Sequence, residues 1–194
     1  MAGVEGQVKQ EELDALREAR RRIALAQVRQ YPDAALRLRA NEVMEYDAPL
    51  ASLAERMGRL MSEANGVGLA ATQIGILQRV FVYQAGEEEP FVALVNPVVV
   101  ASSEERETLE EGCLSLRAAS VVVDVERAVA VTVEAFSPEG EPLRIEAEGL
   151  EARVIQHEID HLDGVLIIDR ASPEQRRSAL AQLRPQPVLA DRDG

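Results

Sequence analysis

The sequence predicts an α+β fold in a single domain, with antiparallel strands packed around a central helix and a further helix at the C-terminal end. Three observations carry that reading. The 194 residues suffice for one domain with a substantial core and leave too little for two. β-Branched and aromatic runs follow one another through the middle of the chain with no helical pattern between them, as in an antiparallel series. Segments of helical spacing with capping residues lie on either side of that series.

Residues 1–20 are charge-dense, with Val4, Val8, Leu13 and Leu16 their only large apolar residues after the initiator Met, and read as a frayed or weakly helical, flexible arm. Tyr31-Pro32-Asp33 punctuates the way into the domain. Pro49 behind Asp47 opens a helix whose stripe of Leu50, Leu53, Met57, Leu60 and Met61 faces the core, and Asn65-Gly66 stops it. Arg79 to Tyr83, Phe91 to Val100, Val121 to Val125 and Val129 to Phe136 read as strands. The turn Ser137-Pro138-Glu139-Gly140 leads into another at Leu143-Arg144-Ile145. A helix runs from about Gly149 to Asp163-Gly164, where glycine supplies a left-handed cap. A short apolar strand is expected over Val165 to Ile168. Ser172-Pro173-Glu174 then opens a helix reaching about Arg184. Residues 185–194 read as a loose tail.

Composition narrows the function. Hydrophobic residues make up 46% and charged residues 28%, an ordinary globular balance. Aromatic residues are 3% with no Trp, so Val, Leu, Ile and Ala must build the core. The net charge of −13 disfavours a groove that tracks phosphates, which excludes a general nucleic-acid binder. No apolar run approaches the roughly 20 residues of a membrane helix, and the first twenty residues lack a secretory apolar stretch. A cytoplasmic protein that meets no membrane is expected. The single cysteine, Cys113, agrees, since no internal disulfide is possible.

Gln156-His157-Glu158-Ile159-Asp160-His161 places an H-E-x-x-H pattern on a predicted helix. Residues four apart share a helix face, so His157 and His161 can point both imidazoles at one ion. Glu158 is rotated away from that face and can reach a water beside the ion as a general base. A bland alternative is a pair of buried, hydrogen-bonded histidines. These are the chain's only two histidines, so a third ligand must come from elsewhere. Asp169 and Glu174 downstream are candidates, and so is Cys113 in Glu110-Glu111-Gly112-Cys113-Leu114-Ser115, because a thiolate is a strong ligand for iron or zinc. Gly66-Val67-Gly68-Leu69-Ala70-Ala71-Thr72-Gln73 allows a close backbone approach. Its Gln73 amide could donate to a developing oxyanion, although a tight structural turn explains the segment equally well.

Taken together and in this order, G-V-G-L-A-A-T-Q, E-G-C-L-S and Q-H-E-I-D-H-L-D-G resemble the three signature motifs of bacterial peptide deformylases, a likeness running from about Gln27 to Arg184. The resemblance implies that residues 21–184 form a deformylase-like catalytic domain acting on N-formylmethionyl peptides. By it Cys113, His157 and His161 match the metal ligands and Glu158 the general acid/base. Gln73 and the Leu114 N–H match the donors to the formyl oxygen, and Gly68 lines the substrate path. One divalent ion is implied, Fe2+ in the cell, with Zn2+ or Ni2+ compatible with the same ligands. Val67, Leu150 and Val154 are the expected walls of a methionine slot. Thr72 and Arg117 stand where Pro is common in the family. An H-E-x-x-H endoprotease and a non-catalytic metal-binding module are the rival readings. Arg176, Arg177 and Arg184 on the last predicted helix suggest either a solvated face or a contact with ribosomal RNA.

Overall fold

The computed structural model describes residues 2–84, 86 and 90–184. The charged N-terminal stretch lies in a helix, α1 (Ala2–Leu25), which leaves Leu13, Leu16 and Ile23 exposed and buries Ala24 at its end. Beyond it Val28 joins the core beneath the next helix, α2 (Ala48–Glu63). Asp47 caps α2 by accepting from Leu50 N at 3.0 Å, and Leu50, Met57, Leu60 and Met61 are buried as their spacing requires.

Among the described residues seven strands follow: β1 (Gly68–Ala70), β2 (Val80–Tyr83), β3 (Val92–Ser102), β4 (Arg106–Gly112), β5 (Val122–Ala128), β6 (Ala130–Phe136) and β7 (Pro142–Glu148). Five of them form an antiparallel sheet in the order β1-β2-β3-β6-β7, and β4 and β5 pair separately. In β6, Val131, Val133 and Ala135 alternate inward against the helix α3 (Gly149–Leu162). The sequence shows no strand over β4, because Arg106-Glu107-Thr108-Leu109-Glu110 is exposed throughout and only Glu111 is buried. Its partner β5 carries the apolar alternation for both, through Val123 and Val125. β1 is the segment equally readable as a tight turn, and it continues into a single 3-10 turn, Ala71–Ile74.

Just past the C-terminus of α3 lies Gly164, whose φ of 74° is in the left-handed region and where a Cβ would sit 2.7 Å from Arg37 O. The strand expected over Val165 to Ile168 is not formed. That run enters a one-turn helix, α4 (Ile167–Arg170), because Asp169 Oδ2 accepts from Leu166 N at 2.9 Å and closes the turn. Ile167 and Ile168 are buried against β5 and α5 (Pro173–Gln182), which shows why a short apolar run does not by itself distinguish strand from helix. Ser172 caps α5 by accepting from Gln175 N at 3.2 Å. The expected loose tail, 185–194, lies outside the described residues. Among the described residues no helix is long and apolar enough to cross a membrane.

Candidate functional site

α3 carries His157 and His161 on one face with ring centroids 4.9 Å apart. Cys113 follows the last residue of β4, and its Sγ lies 3.2 Å from His161 Nε2. One donor atom from each of the three lies within 4.8 Å of the others. Among the described residues this is the one such group fit to hold an ion, and two imidazoles with a thiolate suit zinc or ferrous iron. Asp169 is engaged elsewhere, pairing with Arg37 and with Arg176 at 2.8 Å, and Glu174 is exposed on α5; neither is the third ligand.

The surroundings fit such an ion. His157 Nδ1 is held by Glu111 Oε2 at 3.0 Å, which leaves Nε2 for a ligand. Glu158 is 3% exposed, and its Oε2 is buried without a hydrogen-bond partner. Burial pushes the Glu158 carboxyl up to about 7, the range of a proton-transfer group at neutral pH. Burial opposes charge on His157, but hydrogen bonds to Cys113 and Glu111 outweigh it and hold that imidazole near 10. Burial and the charge on His157 press His161 well below its ordinary value.

Glu111 is the buried hub behind the histidines. Arg127 reaches it at 2.6 and 2.9 Å, and Arg153 at 2.8 Å. Burial would raise its carboxyl, but His157 and Arg127 overcome that and hold it at about 2. Arg127 also meets Asp160 at 2.9 Å, and Asp160 meets Arg170 at 2.6 Å. Sequence reasoning assigns none of these five a role. Glu111 and Asp160 sit inside the motifs, two residues before Cys113 and within H-E-x-x-H, whereas Arg127 and Arg153 carry no local signal.

Gln73 is buried in the 3-10 turn. Its Oε1 accepts from Ala70 N at 2.8 Å, and its Nε2 donates to Ser115 Oγ at 3.2 Å and faces Cys113 Sγ at 3.8 Å. Thr72 donates to the His161 carbonyl at 3.1 Å, so the turn grips both ligand-bearing segments. Gly68 has no room for a side chain, since a Cβ there would lie 2.3 Å from Glu158 Oε1. A cleft of about 490 Å³ opens beside the cluster, onto which Val67, Gly68, Leu114, Leu150 and Val154 converge with Cys113, His157 and Glu158. Val67 and Leu150 are 54% and 65% exposed at its mouth, while Val154 is buried. His161 is 1% exposed behind it.

An α+β domain that sets a Cys-His-His donor group and a buried carboxyl on one cleft is the frame of a metal-dependent hydrolase. The chain belongs to the polypeptide deformylase family, whose model matches residues 25–177. It is 47% identical over 149 residues to the peptide deformylase of Natranaerobius thermophilus, covering 77% of this chain and 94% of that one. The crystal structure of a peptide deformylase from Legionella pneumophila superimposes with a TM-score of 0.76 at 40% identity, over 80% of this chain and 91% of that one. A Synechococcus elongatus peptide deformylase in complex with actinonin gives a TM-score of 0.75 at 36% identity, over 82% and 91%. The endoprotease and the non-catalytic module are not favoured. The chain is an enzyme of this metal-dependent family.

Proposed function

We propose that this protein removes the formyl group from N-formylmethionyl peptides of newly made proteins in the cytoplasm and releases formate. The observation that supports it most is Glu158, a carboxyl buried beside the Cys113, His157 and His161 donors, with one oxygen unpaired and its pKa pushed up to about 7. Held by those three residues, a divalent ion, ferrous iron in the cell and zinc or nickel by the same chemistry, supplies Lewis-acid activation of water and of the formyl carbonyl.

The chain's own residues do the rest. Glu158 takes the proton from the attacking water and returns it to the departing amine, a role that suits a pKa near neutrality. The Gln73 amide and the Leu114 N–H receive the charge that develops on the formyl oxygen; such a donor is worth about 3 kcal/mol in other enzymes. Gly68 lets the peptide pass close to Glu158. Val67, Leu150 and Val154 take the methionine side chain, with Val154 at the buried end.

Formate release from formyl-Met-Ala by anaerobically prepared, iron-loaded protein tests the reading. Glu158→Ala is expected to abolish release while metal stays bound, and silence from metal-loaded wild type would end the proposal. Ribosome docking through α5 is the finer partner assignment. Arg176 is engaged by Asp169, which leaves Arg177 and Arg184 exposed for RNA. Reversing Arg177 and Arg184 to Glu should lower co-sedimentation with ribosomes, and unchanged co-sedimentation removes the docking.

A further inference from the structure

Three successive residues just beyond α1 reach the two segments that carry the proposed formyl-oxygen donors. Arg29 N donates to Gln73 O at 2.6 Å, Gln30 Nε2 to Leu114 O at 2.9 Å, and Tyr31 N to Ser115 O at 2.9 Å. A backbone N–H stabilises an oxyanion only if its peptide is already aimed when the charge appears. Leu114 follows the end of β4, in a turn that pairing within the β4–β5 ladder does not hold. Its orientation depends on the peptides flanking it. One is fixed locally, since Cys113 O accepts from Leu116 N at 3.1 Å. The other is fixed from 84 residues away, by the Gln30 side chain.

We infer that Gln30 is a positioning residue: its amide pins the peptide after Leu114 and keeps the Leu114 N–H aimed at the formyl oxygen. The inference rests on the formyl hydrolysis proposed above. It separates Gln30 from its neighbours in a useful way. The Arg29 and Tyr31 bonds come from backbone N–H groups and survive any change of side chain at position 30, so the scaffold stays docked when only the Gln30 amide is removed.

Gln30→Met keeps the side chain's length without its donor, and Gln30→Ala removes it altogether. For each, kcat and KM on formyl-Met-Ala, bound metal, and amide hydrogen exchange at Leu116 are compared with wild type. The expected result is a fall in kcat of about ten- to a hundredfold, below the full loss of a donor. KM and metal content should stay within about twofold, with faster exchange at Leu116 as the turn loosens. Unchanged kcat in either folded, metal-loaded variant overturns the inference, and so does a loss of activity that only tracks lost metal. Should one variant fail to fold, the other carries the test. If the wild type releases no formate, the fault lies with the proposed reaction. Exchange at Leu116 then decides whether Gln30 braces the turn, and unchanged exchange overturns the brace as well.

Discussion

The five-stranded sheet and the β4–β5 pair are built on opposite principles. In the sheet, β6 turns Val131, Val133 and Ala135 onto α3, and the apolar contact holds the layers together. In the pair, β4 buries one side chain, Glu111, and that side chain is charged. Where the chain delivers Cys113, apolar patterning gives way to a carboxylate shared by Arg127, Arg153 and His157. A hydrocarbon contact can hold a strand but cannot fix the tautomer of an imidazole or aim a ring nitrogen; a carboxylate can do both.

Glu111→Ala is the sharpest way to break this contrast. It leaves Arg127 and Arg153 buried without their shared partner, so a loss of about 3–5 kcal/mol is expected in denaturant unfolding. His157 loses its orienting acceptor in the same change, and metal affinity should fall about 10–100-fold in competition with a chelator. Leu94→Ala is the matching change in the sheet. Leu94 is fully buried, and its loss should cost about 2–5 kcal/mol with metal affinity unchanged. Should Glu111→Ala keep full metal affinity, or Leu94→Ala lose it, the two regions would not divide the labour as described.

The same division explains what was legible in the sequence. Apolar periodicity and capping residues are local signals, and they locate α2, α3, β2, β3, β6 and β7 to within a few residues. β4 is invisible to them because its buried residue is an acid whose partners lie 16 to 46 residues away. α1 has too few apolar residues to show a face; its visible supports are exposed pairs such as Arg21 with Glu18. The helix spacing brings His157 and His161 together by itself, whereas Cys113 is one of three open candidates until the motifs are read as a set. Arg127 and Arg153 become meaningful only when the fold sets them against Glu111.

Smaller changes sharpen the contrast at its margins. Ser172→Ala removes the cap of α5 and should cost about 1 kcal/mol by thermal unfolding with formate release untouched, since α5 packs on α4 and β5 away from the cleft. A loss of activity there would tie the C-terminal helix to the site.

Asp169 offers the weakest test and the cleanest contrast in charge. Like Glu111 it is a carboxylate held by arginines, but Arg37 and Arg176 are 36% and 46% exposed, where solvent and salt screen the pairs. Burial would raise Asp169, yet Arg37, the Leu166 N–H and Arg176 together hold it below the ordinary 3.8. A carboxylate depressed in the folded state stabilises fully above its ordinary value, and the contribution disappears as pH falls through the folded value. Asp169→Asn should therefore cost under about 1 kcal/mol at pH 7, and its deficit should shrink in acid. In 1 M salt the ion-pair share of that deficit should also fade, while the deficit of Glu111→Ala, buried with its partners, should persist. If both deficits respond alike to salt, the enclosure of Glu111 is not what makes β4 the charged half of this fold.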